Sequence, residues 1–480
     1  MKTKKRLEIK TFNNFSNINN IQVHNFYNYK NNTKLEVSNG ISNPKLRYSP
    51  DDAREYSLKL EEAGIQKVEG LNCIKQYFPN SKKTVYRLLI YANDNKLYFN
   101  QLLNYTGDVF DLYQLQFSSA PSVLGYKKDD SDITILADKE KMVFYKVNML
   151  PYEVADLPII TSICLNDDYM YCTLEDPAYK IWYTKSKDIE IVGTTDNLSG
   201  FISLDDELGD ARKVAVLDKE VYVFRDYGIS KITQIKGEIQ ISNVYSSNSR
   251  IFPNTVCVSG EEALFMTQEG IYRFNGYRVS KCNLNFEHLK ISGLNANGGS
   301  LGDKYYLAVR IDFNDDLKIL CEQGDFVNNA LIIIDVNTSS YQLIRGVDIK
   351  SFLPVKTDVY EKILMVFNSG NNGIGEIVDE SVFFNENLPK YWISENLFND
   401  TDAKLFTKLS VNAEKDVKIK LVHDDKTTTF STYKTGTNEF TFKIYAKQLK
   451  IEISSILSNA DVDSVCLDYY VYWYKFTKKI

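Results

Sequence analysis

The amino-acid sequence predicts an all-β protein: a β-propeller of six to eight blades, with seven favoured, followed by a C-terminal β-sandwich. Two observations lead to this prediction. Short amphipathic hairpins recur through residues 71–385, and a different pattern, strands with one apolar face, fills residues 386–480. The chain also contains 33 Tyr and 26 Phe, and aromatic side chains suit the half-buried surface of a pleated sheet.

The clearest repeat unit is GEEALFMTQEGIYRFNG, from Gly260 to Gly276. It predicts two short strands joined by a polar turn at Gln268 and Glu269. Comparable turns and strands recur along the chain, and the aligned positions are Asp94, Lys139, Asp167, Asp218, Gly260, Asp303 and Glu361. Their uneven spacing is explained by loop insertions such as residues 312–329. A period of about 40 to 50 residues is typical of propellers and solenoids, in which each unit packs only on its neighbours.

A linear solenoid with polar caps is the alternative to the propeller. The pattern predicts three or four antiparallel strands in each unit, rather than the one strand per coil of a β-helix. Radial closure also leaves only short sheet edges exposed. The propeller is therefore favoured.

Residues 1–70 are predicted to form an extended arm and one short helix. The first fifty residues are rich in Asn and aromatic side chains and have no clear period, which indicates an arm or a strand donated to another element. Ser49-Pro50-Asp51-Asp52 is typical of a helix start, and Gly64 of a helix end. We therefore expect a helix over residues 53–63.

Residues 386–480 are predicted to form the sandwich. From Lys404 the chain contains six segments with alternating apolar and polar residues, namely FTKLSVNA, DVKIKLVH, TTTFSTYK, EFTFKIYA, KQLKIEIS and VCLDYYVYWYKF. Strands of this kind bury one face only, as in an immunoglobulin-like module.

Charge and cysteine content narrow the function classes. The net charge of -6 and the pI near 5.5 argue against a surface that grips duplex DNA, which needs clustered Lys and Arg. The cysteines are odd in number and contain no CxxC pair, so free thiols in a reducing cytoplasm are expected; they are Cys73, Cys164, Cys172, Cys257, Cys282, Cys321 and Cys466. No run of eighteen or more apolar residues occurs, so no membrane-spanning segment is predicted.

The histidines and the calcium-like and glycine-rich segments do not match a catalytic or ligand-binding template. His24, His288 and His423 lie far apart in sequence, and a general base needs a partner within hydrogen-bond reach. Asp312, Asn314 and Asp316 imitate the start of an EF-hand loop, but Leu317 replaces its glycine and Gln323 its final glutamate; weak cation binding there stays open. The segment Ser369 to Gly375 lacks the lysine and the helix of a phosphate loop, so it is interpreted as a hairpin.

Three acidic clusters and three tryptophans are candidates for glycosidase or sugar-binding chemistry. The clusters are Asp205-Asp206-Glu207, Glu261-Glu262 and Asp424-Asp425, and the tryptophans are Trp182, Trp392 and Trp473. Neighbouring strand residues point to opposite faces, so adjacent acids do not by themselves form a facing catalytic pair. Solvated turns and packed aromatics are the expected roles. We predict no enzyme, and we assign no catalytic, cofactor or metal residues.

Three parts of the chain resemble the tail hub and nozzle proteins of short-tailed bacteriophages, which are head-to-tail structural proteins. They are FNNFSNINN near the start, IWYTKSKDIEIV followed by GFISLDDELGDARKVAVLDKEVYVFRDYGISKI, and EEALFMTQEGIYRFNGYRVSKC. The similarity extends in order over about residues 10–470, with loose motifs, and carries no site residue over to this chain.

The resemblance implies a virion protein of the phage tail that is assembled in the host cytoplasm. It implies a homo-oligomeric ring, expected to be a hexamer, that contacts the portal, the adaptor and other tail proteins. DNA would pass through the lumen without sequence-specific binding. An acidic lumen would avoid trapping the phosphate backbone during ejection.

The alternative is a receptor-recognition module that binds glycans through the propeller and a lectin-like sandwich. It is motivated by an aromatic cluster near the end of the chain, composed of Tyr469, Tyr470, Tyr472, Trp473 and Tyr474. The binding residues of either function are unknown from the sequence.

Overall fold

The fold is all-β, as the sequence predicts. The computed structural model describes residues 2–9, 23–24, 34–37, 45–47, 55–57, 60, 63–78, 81–101, 109–128, 131–146, 149–154, 158–167, 169–185, 199–235, 238–282, 291–312, 325–337, 341–345, 347–357, 361–368, 374–378, 390–394, 397–398, 402–413, 415–424, 426–455 and 462–472. Within these ranges the only helical element is one short 3-10 turn, Pro253–Thr255. Nearly all other ordered elements are antiparallel strands.

Seven four-stranded sheets form the blades of a propeller. Blade 1 contains β6 (Val68–Phe78), β7 (Lys83–Ala92), β8 (Lys96–Gln101) and β9 (Phe110–Gln116). Blade 2 contains β10 (Ser122–Lys128), β11 (Ser131–Ala137), β12 (Met142–Lys146) and β13 (Tyr152–Val154). Blade 3 contains β14 (Ile160–Asn166), β15 (Tyr169–Leu174), β16 (Lys180–Thr184) and β17 (Ser199–Ser203). Blade 4 contains β18 (Ala211–Leu217), β19 (Glu220–Arg225), β20 (Gly228–Ile235) and β21 (Glu238–Ser246).

The remaining blades follow the same up-and-down order. Blade 5 contains β22 (Cys257–Ser259), β23 (Glu262–Thr267), β24 (Gly270–Phe274) and β25 (Val279–Lys281). Blade 6 contains β26 (Ile291–Leu301), β27 (Lys304–Ile311), β28 (Ala330–Asp335) and β29 (Tyr341–Arg345). Blade 7 contains β30 (Ile349–Lys356), β31 (Glu361–Phe367), β32 (Ile374–Val378) and, as its outermost strand, β3 (Lys34–Val37) from the N-terminal part of the chain.

The predicted blade count of seven is confirmed. Each of the seven aligned sequence positions falls in a different blade. Asp94 and Lys139 lie in turns between the second and third strands, whereas Asp167, Asp218 and Gly260 lie in turns between the first and second strands. The sequence repeat therefore marks every blade. The aligned positions do not all lie in the same turn of the blade, however.

The hydrophobic core of the propeller consists of clusters that are each shared by two adjacent blades. Blades 4 and 5, for example, share Phe224, Phe265 and Phe274, which are fully buried. Rings of Phe224 and Phe265 meet edge to face with centroids 5.8 Å apart, a favoured aromatic geometry. Equivalent clusters join blades 1 and 2, 2 and 3, 3 and 4, 5 and 6, and 6 and 7.

The ring closes between blades 7 and 1. Leu364 and Val366 of β31 pack with Leu88 and Ile90 of β7 in one buried cluster, and β6 contacts both β30 and β31. Fully burying each such aliphatic side chain contributes about 1.5–3 kcal/mol. Closure removes what would otherwise be two exposed apolar blade faces.

The C-terminal sandwich includes strands from both ends of the chain. One sheet has the order β1 (Lys2–Ile9), β39 (Val462–Tyr472), β34 (Lys404–Ala413) and β37 (Gly436–Ala446). The other has the order β2 (Val23–His24), β33 (Lys390–Ile393), β38 (Leu449–Ser455), β35 (Lys418–His423) and β36 (Lys426–Ser431). All six strands predicted after Lys404 are present. Their inward side chains form one core that includes Phe406, Leu421 and Ile451.

The sheets divide the N-terminal residues between the two parts of the molecule. β1 and β2 belong to the sandwich and β3 to the propeller, so the predicted boundaries at 70 and 385 do not separate the strands of the two folds. β3 is a donated strand of the kind that the sequence suggested.

The helix predicted over residues 53–63 is wrong for the described residues. Glu55–Ser57 is β5, which pairs with β4 (Lys45–Arg47). Leu60 is buried in the cluster between blades 1 and 7, and Gly64 follows in a turn with φ +80°. Pairing and burial outweighed the local helix signal, which is a weak preference in general. Gly64 is thus part of a turn and does not end a helix.

Candidate functional site

The described histidines lie in the sandwich and are not brought together. His24 is in β2 and His423 in β35, with β33 and β38 between them. His423 is buried, its Nε2 lies 3.1 Å from Thr428 Oγ1, and burial lowers its pKa. His288 lies outside the described residues. The arrangement provides no histidine relay among His24 and His423.

The acidic clusters have structural partners. Asp206 pairs with Arg225, and Glu262 Oε2 lies 2.6 Å from Arg273 Nη2. Asp424 accepts a hydrogen bond from the Lys447 backbone N–H at 3.3 Å. The expectation of solvated turns was therefore too simple, because these carboxylates hold neighbouring segments together. Asp205 and Glu261 are exposed, and Asp425 lies outside the described residues.

The remaining sequence candidates show no ligand site in the described ranges. Asp312 is exposed at the end of β27, and Asn314, Asp316, Leu317 and Gln323 lie outside the description. β31 and β32 pair as the hairpin predicted around residues 369–375, although residues 369–373 themselves are not described. Where the structure is described, no three His, Cys, Asp or Glu side chains form a group that could hold a metal ion.

Two of the aromatic candidates, Trp182 and Tyr469, are packing residues. Trp182 is buried in the cluster between blades 2 and 3, and Tyr469 packs on Phe398 and Phe406 of the sandwich core. Trp392 lies in β33, Tyr470 and Tyr472 lie in β39, and Trp473 and Tyr474 are outside the described ranges. Tyr469 is thus not available as an exposed sugar-binding ring.

The six described cysteines are free thiols. Burial raises the pKa of Cys164 to about 12 and the pKa values of Cys73, Cys257 and Cys282 to about 11. Because the thiolate is the reactive form, these groups are weak nucleophiles at neutral pH. Cys321 lies outside the description.

Blade 4 and the segment that precedes it contain a polar network that the sequence did not predict. The Arg225 guanidinium is fully buried and donates from Nε to Gly209 O at 3.0 Å and from Nη2 to Leu204 O at 2.9 Å. Its Nη2 also lies 2.5 Å from Asp206 Oδ1. Burial alone would raise the pKa of Asp206, but hydrogen bonds from Arg225 and Asn243 outweigh it and lower the pKa to about 2.

A second arginine–carboxylate group lies beside the first. Arg212 donates from Nε and Nη2 to the two oxygens of Asp226, both at 3.0 Å, which is the bidentate geometry that Arg favours. Arg212 also reaches Asp210 at 2.8 Å, and Arg250 donates to Asp226 at 3.0 Å. We name these residues together with Asp206 and Arg225 the blade-4 clamp. Its donors and acceptors bind each other and nearby carbonyls, so its chemistry is structural.

A candidate interaction surface lies on the outer part of blade 3. Phe201, in the outermost strand β17, is 56% exposed, and Tyr179 is also exposed. Lys180 Nζ lies 5.5 Å from the Tyr179 ring centroid and 5.9 Å from that of Phe201, within the range of cation–π attraction. We name Tyr179, Lys180 and Phe201 the blade-3 patch. Aromatic side chains such as Tyr179 and Phe201 are enriched in protein interfaces.

No helix within the described ranges has the length and apolar character needed to cross a membrane.

Comparisons with known proteins identify similar folds but no family. No family model matches the chain, and no curated protein sequence matches it. Among solved structures, it is similar to BBS1N in complex with ARL6DN in a lead-soaked crystal, with 10% identity over 70% of this chain and 97% of that chain and a TM-score of 0.43. The mercury-soaked form gives 9% identity, coverage of 61% and 86%, and a TM-score of 0.38. Hsv2 of Kluyveromyces lactis gives 10% identity, coverage of 54% and 81%, and a TM-score of 0.32. Such low identities say nothing about the function of this chain.

Proposed function

We propose that this protein is a structural subunit of a bacteriophage tail, of the hub or nozzle type, and forms part of the DNA conduit below the portal. The support begins with the resembling segment from residue 200 to residue 232, which runs from β17 to β20. It supplies Asp206, Asp210, Arg212, Arg225 and Asp226, five of the six residues of the blade-4 clamp. The polar residues of that segment thus stabilise a scaffold.

The observation that carries the proposal is the location of this clamp within the motif of the resemblance. A binding or catalytic motif would present polar groups to a cleft, whereas Arg225 is buried and directs its donors to Asp206 and to backbone carbonyls of the segment between β17 and β18. A subunit whose function depends on its shape needs segments that are held rigidly by contacts of this kind. The net charge of -6 also suits a conduit, since a protein without an excess of positive charge has a weaker overall attraction for the DNA phosphates.

In this proposal, copies of the chain assemble into a homo-oligomeric ring, expected to be a hexamer, that contacts the portal, the adaptor and other tail proteins. The blade-3 patch is our candidate for a contact between neighbouring copies, because Phe201 places an apolar ring on the outer strand of a blade. The protein would be assembled in the host cytoplasm and reside in the virion.

Two measurements test the proposal. Mass photometry of the recombinant full chain, followed by two-dimensional class averages, should reveal a ring of about six copies. Gold-labelled antibody against the chain should bind particles at the tail or neck. A chain that stays monomeric at micromolar concentration, together with particles that carry no label at either place, would reject the tail role.

Glycan recognition is the second candidate function. Tyr433 and Tyr445 are exposed on the sandwich, and Lys434 Nζ lies 5.8 Å from the Tyr433 ring centroid. Exposed tyrosines can stack on sugar rings while their hydroxyl groups form hydrogen bonds. A glycan array should then give binding that Tyr433→Ser or Tyr445→Ser reduces, with Tyr277→Ser as an exposed control in blade 5. An array without binding would remove this candidate.

A further inference from the structure

A cavity of about 580 Å³ lies between the first strands of blades 1 and 2. Small-ligand sites generally occupy about 300–1,000 Å³, so the volume suits an organic molecule rather than a single ion. The walls come from β6 and β7 on one side and from β10 and β11 on the other. No function described above uses this space.

Two lysines give the cavity a cationic character. Lys75 and Lys127 both border it and are exposed. Lys127 Nζ lies 5.8 Å from the Tyr77 ring centroid, and Lys75 Nζ lies 5.5 Å from that of Tyr86. Within the described ranges neither ammonium group lies within salt-bridge distance of a carboxylate. Both groups are therefore free to bind an anion, on a chain whose overall charge is negative.

The remaining walls combine an aromatic ring with hydroxyl and carboxylate groups. Tyr77 borders the cavity and is half-buried. Asp132 accepts a hydrogen bond from the Tyr77 backbone N–H and, since a carboxylate has about four acceptor positions, it can accept further hydrogen bonds. Thr84 adds a hydroxyl group. The cavity thus combines an aromatic side chain, hydrogen-bond acceptors and two ammonium groups. This combination suits a ligand that has several hydroxyl groups and one anionic group.

Gly125 leaves this space open. A Cβ atom added at Gly125 would meet no heavy atom within 4 Å, and Gly125 borders the cavity from β10. We therefore expect a larger side chain at this position to occupy part of the cavity. The position thus offers a way to fill the site while leaving its charged residues in place.

We propose that this cavity binds a sugar phosphate, with the phosphate at Lys75 and Lys127, the sugar ring against Tyr77, and the sugar hydroxyls at Asp132 and Thr84. The same chemistry occurs in a free sugar phosphate and in the sugar-phosphate part of a nucleotide. The inference does not depend on the tail role, because it concerns the isolated chain and not its assembly.

Isothermal titration calorimetry on the full-length chain tests the proposal with glucose 6-phosphate, glucose, inorganic phosphate and adenosine monophosphate. Glucose 6-phosphate should bind more tightly than either glucose or inorganic phosphate. Tighter binding of adenosine monophosphate than of glucose 6-phosphate would identify a nucleotide, and not a free sugar phosphate, as the source of the sugar-phosphate group. Binding of inorganic phosphate as tight as that of glucose 6-phosphate, or no binding of any probe at millimolar concentration, would overturn the proposal.

Variants of the residues that border the cavity test whether the ligand binds there. Gly125→Leu should abolish it, and the double variant Lys75→Ala/Lys127→Ala should weaken it at least about tenfold, since a hydrogen bond to a charged group is worth about 1.5–3 kcal/mol. The matched control is Lys281→Ala/Lys415→Ala, two exposed lysines away from the cavity. Binding that the cavity lysine pair and the control pair change equally would overturn the proposal, even if Gly125→Leu did not fold.

Discussion

Lys34 lies opposite Val378 in the backbone pairing that joins β3 to β32. The two strands are antiparallel, so the chain enters the last blade and leaves it at neighbouring points. The sandwich likewise contains both ends of the chain, because β1 pairs with β39. Most of the propeller therefore lies in the sequence between two sets of sandwich strands. Both the propeller and the sandwich contain strands from the N-terminal residues.

Deletion of residues 1–37 should destabilise both parts, because it removes β1, β2 and β3. We expect a lower melting temperature and faster hydrogen exchange in β32, whose outer edge would lose its partner strand. Peptides from β19 in blade 4 should keep their protection. Hydrogen exchange read by mass spectrometry measures each region separately.

The control is deletion of residues 1–9, which removes β1 alone. This shorter deletion should affect β39 in the sandwich and leave β32 protected. Unchanged exchange in β32 after the longer deletion would mean that β3 does not stabilise blade 7.

Asp468 should make the attachment of β1 depend on pH. Its side chain is 3% exposed and lies 2.7 Å from Arg6 and 3.0 Å from Lys4, both on β1. The hydrogen bond from Arg6 lowers the pKa of Asp468. The stabilisation is then complete above the unfolded pKa of about 3.9 and is lost as the pH falls through the lower folded pKa. Amide exchange in β1, corrected for its intrinsic pH dependence, should show less protection at pH 3 than at pH 7.

Asp468→Asn should reproduce this loss at neutral pH. Arg6 and Lys4 are largely exposed, so water can solvate them and the effect should remain local to β1. Asp463→Asn is the matched control, since Asp463 lies in the same strand and bonds only to Asn412 in the description. Equal protection of β1 in the two variants would contradict this role for Asp468.

Asp206→Ala should destabilise blade 4 by removing the carboxylate partner of a buried arginine. A buried donor that loses its partner costs about 1–3 kcal/mol. Asp206 is 39% exposed, and solvent screening reduces the effect, so we expect about 1 kcal/mol in urea unfolding. Asp205→Ala, at the exposed neighbouring position, should be neutral. A pH titration should show the Asp206 contribution above about pH 4 and its loss as the pH falls toward about 2.

The middle strands of the blades could be predicted from the sequence, whereas many inner and outer strands could not. In β23 five consecutive residues, Ala263 to Thr267, are buried because neighbouring blades cover both faces. The outer strand β17 has the sequence SGFIS and only Ile202 is buried, so it lacks an apolar run. The pairing of β3 with blade 7 joins residues more than 300 positions apart, and no local pattern indicates such a pairing.

The blade-4 clamp was missed for a similar reason. Asp205-Asp206-Glu207 has the composition of a solvated turn, and no neighbouring residue in the sequence indicates that Asp206 pairs with a buried arginine. The available signal was Arg225, a charged residue at the end of the apolar strand VYVF. A buried arginine requires a carboxylate or several carbonyl acceptors, and Asp206 could have been considered on that ground. The cavity between blades 1 and 2 could not be predicted, because it depends on how residues from two blades pack in three dimensions.

Gly299→Ala should destabilise the contact between blades 6 and 7. A Cβ atom at Gly299 would lie 2.6 Å from the Cβ atom of Phe352 and 3.0 Å from Ile363 Cδ1. The Phe352 Cβ atom is fixed by its backbone, so β26 or β30 must shift. Overpacking of this kind costs about 1–3 kcal/mol. Gly125→Ala, where the added atom meets open space, is the control, and equal unfolding free energies for the two variants would refute this close packing.

Phe201→Glu should reduce assembly if the blade-3 patch joins copies of the chain. The side chain is 56% exposed, so the substitution should leave the fold intact, while a buried carboxylate in a subunit contact would be unfavourable. We expect mass photometry to show fewer rings and more single chains than for the unaltered protein, with the same melting temperature for the monomer. Tyr277→Glu is the control, because Tyr277 is 84% exposed and lies in a turn of blade 5. Rings that persist in Phe201→Glu would place the subunit contact elsewhere, whereas loss in both variants would indicate that added negative charge alone opposes assembly.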